Sequence, residues 1–251
     1  MNNHKMRLLN TYVNNLSMKE TLLNLDSYIK ENHRKSYIVA VNVDVITQIE
    51  EDNYLKKIID NADMVLVDGT PLVWLSKLFK IPVKEKISGS DLVPQVCKMS
   101  ADKGYTLFFI GGRDGVAEQA KVRLENLYPQ IKIVGTYAPP FGFDKNQEEL
   151  EKINCIISEV KPDILIVCFG CPKQEKFIYE NIDKYNAKVS ICAGATIDFL
   201  AGNIKRAPKW MSTYGLEWFY RFTQEPKRLF KRYFVNDMKI FKLAWKYRAK
   251  D

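Results

Sequence analysis

The chain has 251 residues, of which 46% are hydrophobic, 27% charged and 12% aromatic, enough for one large domain with a sizeable core and too apolar for global disorder. No run of about 18 apolar residues occurs, and Met1–Met6 is not followed by an apolar segment and cleavage site, so neither a spanning helix nor a secretory signal is expected. The net charge of +8 is concentrated at one end: the last 47 residues hold 13 Lys/Arg against 4 Asp/Glu, while residues 1–204 carry a net −1.

In chain order, Ser17-Met18-Lys19-Glu20 reads as a capping box opening a helix toward His33. Short β-branched or aromatic runs follow at Tyr37–Val41, Met64–Val67, Tyr105–Ile110, Ile131–Thr136, Asp163–Phe169 and Lys188–Cys192. Amphipathic stretches lie between most of them, at Val45–Asp60, Ser90–Lys103, Arg113–Leu127, Gln147–Val160 and Lys173–Lys184. Nearly continuous apolar strands separated by helices predict an α/β, Rossmann-like parallel sheet covered on both faces.

After Asp198-Phe-Leu-Ala-Gly202 the pattern changes. Ala207-Pro208-Lys209-Trp210 opens a helical stretch with no further strand signal, and Pro226 starts another helix. This stretch contains three of the four tryptophans, Trp210, Trp218 and Trp245, interleaved with bases. The expected organisation is a catalytic domain over residues 1–204 and a basic, aromatic helical appendage over 205–251. Aromatic rings and cations at helical spacing suit an anionic membrane surface. Packing on the body is an alternative use for Trp210, Leu216, Trp218 and Phe222, and no nucleic-acid module is present, so no nucleic acid is expected as a partner.

Five cysteines (Cys97, Cys155, Cys168, Cys171, Cys192) are an odd number, which suits a reducing cytoplasm. Cys168 and Cys171 form one C-x-x-C, but two histidines (His4, His33) and no second pair argue against zinc. Cys171 has no nearby His to activate it as a nucleophile.

Open parallel sheets bind ligands beyond the carboxyl ends of their strands. Asp68 follows Met64–Val67, where a partly buried carboxylate serves as a general base. The same stretch also fits a helix capped by Asp68 or Thr70, with Pro71 in its first turn. Gly111-Gly112 offers backbone N–H groups to an anion, or only a tight turn before a helix. The spacing to Gly115 is not G-x-G-x-x-G, and no P-loop is present, which removes the usual nicotinamide and triphosphate fingerprints. Gly170-Cys-Pro-Lys-Gln-Glu175 places Lys173 and Gln174 in the first turn of a helix, as ligands or as its exposed polar start.

Asn42-Val-Asp44, Asp68-Gly-Thr-Pro71, Gly89-Ser-Asp-Leu92, Gly111-Gly112, Phe169-Gly-Cys-Pro-Lys-Gln-Glu175, Gly194-Ala-Thr-Ile-Asp-Phe199 and Arg206-Ala-Pro-Lys-Trp210 occur in one order. Gly215-Leu-Glu-Trp218, Arg221, Glu225-Pro226, Arg228 and Arg232-Tyr233 follow. The ordered series resembles the WecG/TagA/CpsF glycosyltransferase family over essentially the whole chain.

The resemblance implies inverting transfer of a sugar, N-acetylmannosamine foremost, from a UDP-sugar to an undecaprenyl-diphosphate-linked acceptor, in cell-surface polysaccharide or teichoic-acid-type synthesis. UDP-glucose is an alternative donor, and a non-catalytic scaffold an alternative role. No metal or cofactor is implied. Asp68 and Gln174 take the catalytic positions. Asn42, Asp44, Thr70, Lys86, Gly111, Gly112, Phe169, Gly170, Lys173 and Asp198 take the donor side. Arg206, Arg221, Arg228, Lys231 and Arg232 take the acceptor diphosphate and the membrane. The resemblance also implies peripheral attachment to the inner face of the cell membrane, and self-association is expected. Two positions depart from the family pattern: Ala40 stands where Thr is common and Lys86 where Arg is common, which bears on sugar identity.

Overall fold

A computed structural model describes residues 5–31, 34–208, 210–211 and 214–248. His4, His33 and Lys209, which entered the sequence reading, lie outside the described residues, as does the side chain of Arg228.

Among the described residues, eight strands form two sheets. β1 (Lys5–Leu8) and β2 (Thr11–Asn14) are an antiparallel hairpin. The other six are β3 (Ser36–Val41), β4 (Met64–Val67), β5 (Thr106–Gly111), β6 (Lys132–Tyr137), β7 (Ile164–Cys168) and β8 (Val189–Cys192). They pair in parallel in the order β4-β3-β8-β7-β5-β6. The expected α/β Rossmann-like sheet is therefore present, with each strand within a residue or two of its predicted bounds.

Because strand side chains alternate faces, the strands feed two separate cores. Val39, Val41, Val65, Val67, Leu165 and Val167 point to one, and Ile38, Met64, Leu66, Ile164 and Ile166 to the other. The first is covered by α2 (Val43–Gln48), α3 (Asn53–Asp60), α4 (Thr70–Leu78), α7 (Gln147–Val160) and α8 (Lys173–Asn181). The second is covered by α1 (Met18–Lys30), α5 (Gly89–Lys103), α6 (Val116–Leu127) and α9 (Thr196–Ala201).

The capping box forms as read: Ser17 Oγ accepts from Glu20 N and Glu20 Oε2 accepts from Ser17 N at 2.7 Å. Three local readings change. The stretch expected as one helix over Val45–Asp60 is two, because Asp52 Oδ1 accepts from Tyr54 N and Leu55 N and so starts a new helix at Asn53. The β1–β2 hairpin has no counterpart in the sequence reading. Its Asn14 Oδ1 takes the Val65 N–H at 2.7 Å, satisfying a donor on the edge strand β4. Finally, neither Asp68 nor Thr70 caps α4; Gly69 occupies the cap position with no side-chain bond, leaving both side chains available to the cavity described below.

The C-terminal residues form α10 (Glu217–Gln224), α11 (Pro226–Lys231), a π-helical turn at Arg232–Asn236, and α12 (Lys239–Tyr247). They fold back on the body. Ile240 and Leu243 of α12 join the core shared with α2, flanked by Lys239–Glu51 at 2.6 Å and Lys246–Glu50 at 2.5 Å.

Candidate active site

The carboxyl ends of β3, β4, β7 and β8 open into a cavity of about 880 Å³, roofed by the C-terminal helices. β3 and β8 are parallel neighbours whose following helices go to opposite faces, α2 to one core and α9 to the other. This is the crevice position that an open parallel sheet provides for ligands.

Asp68 continues β4 by one residue, its N–H donating to Val41 O at 2.8 Å, and its half-buried side chain lines the cavity. Burial lifts its carboxyl above the ordinary value; Lys86 and Arg221 pull it back, and Asp91 and Glu217 add to the rise. Lys86 is held beside it because Ile87 N donates to Val67 O at 2.8 Å.

Lys86 Nζ lies 2.6 Å from Asp91 Oδ2 and 3.6 Å from Glu217 Oε2. Burial works against its charge, but Asp91, Glu217 and Asp68 outweigh that and raise its pKa. Asp91 is also bound by Arg206 and by Ser88 Oγ at 2.7 Å. Burial pushes against its ionisation, yet Lys86, Arg206 and Ser88 bring its carboxyl down to about 2. Arg206 Nη1 also donates to Ser90 O at 3.2 Å, so this side chain ties the segment after α9 to the first turn of α5. Arg221 lies over the Phe199 ring at 5.7 Å, and its buried Nε has no hydrogen-bond partner among the described residues.

On the other side, Asn42 Oδ1 caps α2 by accepting from Val45 N at 3.1 Å, and Asp44 Oδ2 faces Arg232 Nε at 3.4 Å. Asp237, in the same wall, is pushed up to about 6 by burial, with Arg232 opposing and Asp44 adding.

Of the residues named from sequence, Asn42, Asp44, Asp68, Thr70, Lys86, Phe169, Gly170, Gln174, Arg221 and Arg232 line this one cavity. Ala40 lines it too, so the departure from the family pattern falls within the site. Gly111, Gly112, Lys173, Asp198, Arg206 and Lys231 are not part of its lining. A Cβ at Gly111 would sit 2.5 Å from Cys168 O, so this glycine serves close strand packing, and Gly112 N donates to Cys168 O. Lys173 Nζ pairs with Asp144 at 2.7 Å. The Gly170 N–H, expected to face an anion, donates instead to Gln174 Oε1 at 3.2 Å. Sequence reasoning missed Asp91 as a ligand of Lys86, although it sits in the Gly89–Leu92 motif, and missed Glu175, Glu217 and Asp237. Only the fold brings Glu217 and Asp237 to the cavity, whose lining does not include Asp91.

Among the described residues no group of three or more His, Cys, Asp or Glu is placed to hold a metal ion. No helix among them is long and apolar enough to cross a membrane.

A parallel α/β sheet thus carries a half-buried carboxyl and several cations around one cavity. The model of the Glycosyl transferase WecG/TagA/CpsF family matches residues 6–251, and the chain belongs to that family of glycosyltransferases. It is similar to the N-acetylglucosaminyldiphosphoundecaprenol N-acetyl-beta-D-mannosaminyltransferase of Bacillus spizizenii, at 30% identity over 202 residues, 80% of this chain and 76% of the relative. The protein of that name in Bacillus subtilis is 30% identical over 191 residues, 76% of this chain and 72% of the relative. That of Staphylococcus aureus is 27% identical over 230 residues, 91% of this chain and 88% of the relative.

Proposed function

We propose that this glycosyltransferase moves a sugar, N-acetylmannosamine foremost, from a UDP-sugar to an undecaprenyl-diphosphate-linked acceptor, with inversion and without a metal. The observation that carries the reading is Asp68: a carboxyl raised by burial, on a cavity wall, within the field of Lys86 and Arg221. The relatives' names support the acceptor class and the sugar.

In this mechanism Asp68 takes the proton from the acceptor hydroxyl while that oxygen attacks the anomeric carbon on the face opposite the departing UDP. Negative charge grows on the leaving diphosphate. Arg221, whose Nε has no hydrogen-bond partner among the described residues, is the first donor available to it, with Lys86 and Arg232 adding charge from two sides. The acceptor's own diphosphate draws on the same basic C-terminal segment.

Attachment to the inner face of the cell membrane is part of the proposal. Exposed Phe230, Phe241 and Trp245 alternate with lysines and arginines on the C-terminal helices, the composition of an interfacial surface. The test is UDP release with a panel of UDP-sugars and a short-chain lipid-diphosphate acceptor. Turnover with one UDP-sugar, lost in Asp68→Asn with the fold intact, is the expected result; no release with any pair overturns the proposal.

A further inference from the structure

Gln174 and Glu175, in the first turn of α8, are both buried at the cavity, and Glu175 is 1% exposed. Gln174 Oε1 accepts two backbone hydrogen bonds, from Gly170 N at 3.2 Å and from Gly194 N at 2.9 Å. One side chain therefore joins the loop after β7 to the loop after β8, two adjacent walls of the cavity. Gln174 Nε2 donates to Glu175 Oε1 at 2.8 Å, and the Cys171 and Cys192 thiols face the same carboxyl.

A carboxamide has two unlike ends. Its oxygen has to face the two N–H groups, because turned over it would set NH₂ against two donors. Its NH₂ end then needs an acceptor, and buried without one it would cost as much as any unmade hydrogen bond. Glu175 is that acceptor.

We propose that Glu175 is a positioning residue: by accepting from Gln174 Nε2 it holds Gln174 as a tie between Gly170 and Gly194, presetting the two loops that wall the donor nucleotide. The ligand in this inference rests on the donor reading above; the tie itself does not. The tie also keeps both amides away from an anionic ligand, which leaves diphosphate recognition to side-chain cations.

The surroundings favour an acceptor that acts uncharged. Burial raises the Glu175 carboxyl; the groups facing it are Gln174, Cys171 and Cys192, and none is a cation. Both thiols are themselves pushed up, first by burial and then by Glu175 among the nearby acids. Glu175→Gln, which keeps a carbonyl acceptor at the same place, should therefore substitute for the native residue, whereas Glu175→Leu keeps the volume and removes the acceptor.

The experiment compares these two variants in the full chain. Amide hydrogen exchange is read at Gly170 and Gly194, with β4 amides as the fold control, and UDP affinity is read by calorimetry. Expected are near-native values for E175Q. For E175L, exchange at both glycines should be about tenfold faster or more, and UDP affinity about tenfold weaker. Native exchange in E175L, or an E175Q as impaired as E175L, overturns the proposal. Should E175L fail to fold, Gln174→Met removes the tie directly: faster exchange at both glycines supports the tie and native exchange overturns it. A wild-type chain that binds no UDP overturns the donor reading and leaves glycine exchange to judge the tie.

Discussion

Asp44 Oδ2 in the first turn after β3 and Arg232 Nε in the π-helical turn of the C-terminal segment face each other at 3.4 Å. The cavity is thus built from both parts of the chain. The joint is reinforced by Tyr247 Oη donating to Glu50 at 3.0 Å and by Gly215, where a Cβ would come within 2.6 Å of Thr70 Cγ2. Exposed ion pairs contribute little here; the apolar burial of Leu229, Ile240 and Leu243 contributes more.

Asp68→Asn keeps shape and burial and removes the base. Turnover should fall by about 10²- to 10⁴-fold with UDP affinity within a few-fold of native. Single-turnover kinetics beside calorimetry separate the two. An equal loss of binding would give Asp68 a binding role instead.

The same substitution should stabilise the fold. Asp68 has a folded pKa above its unfolded one, so the native state holds its proton more tightly. The stability that this contributes is present at low pH and lost as pH rises through the folded value. Above that folded value the ionised form is a cost that Asn removes. Thermal unfolding should show a higher Tm for the variant at pH 7.5 and a smaller difference near pH 4. Asp237→Asn should behave alike, with its window between the ordinary carboxylate value and about 6.

Lys86→Ala leaves Asp91 with Arg206 and Ser88 alone and removes a cation near Asp68. The expected loss in kcat/KM is about 10- to 100-fold, and Lys86→Arg should recover most of it. Asp91 shows the opposite linkage to Asp68. Its folded value of about 2 stabilises above the ordinary carboxylate range, and that contribution fades as pH falls toward 2. The acid unfolding curve of Lys86→Ala should be correspondingly flatter.

Removal of residues 227–251 strips Arg232, Ile240 and Leu243 from the cavity wall and core. The truncated chain should still bind UDP, act poorly on lipid acceptor, show a lower Tm and self-associate through the uncovered apolar face. Sedimentation and a lipid-acceptor assay check these outcomes. For the full chain, binding to anionic vesicles should weaken as salt rises, each Lys or Arg near the surface adding about 1 kcal/mol at low salt. Salt-insensitive binding would assign the contact to aromatic insertion alone.

The sheet was legible because buried parallel strands such as Met64–Val67 and Ile164–Cys168 are continuous apolar runs set between amphipathic stretches. The β1–β2 hairpin was not, since four-residue strands such as Lys5–Leu8 carry too little alternation to stand out. In the site, residues directly after strands were found, because Asp68 and Asn42 follow from chain position alone. Gly111, Gly112 and Lys173 were placed with them by motif, yet backbone packing and Asp144 occupy them elsewhere. Asp237 and Glu217 reach the cavity only through tertiary folding of the tail, and no spacing rule links them to Asp44 or Lys86.

The most direct measurement is UDP release by full-length wild type and Asp68→Asn, with UDP-N-acetylmannosamine and a short-chain lipid-diphosphate N-acetylglucosamine acceptor. The account predicts acceptor-dependent release by wild type and about 10²-fold less or lower by a variant that still binds UDP. Acceptor-dependent release that survives in Asp68→Asn at the wild-type rate would contradict it.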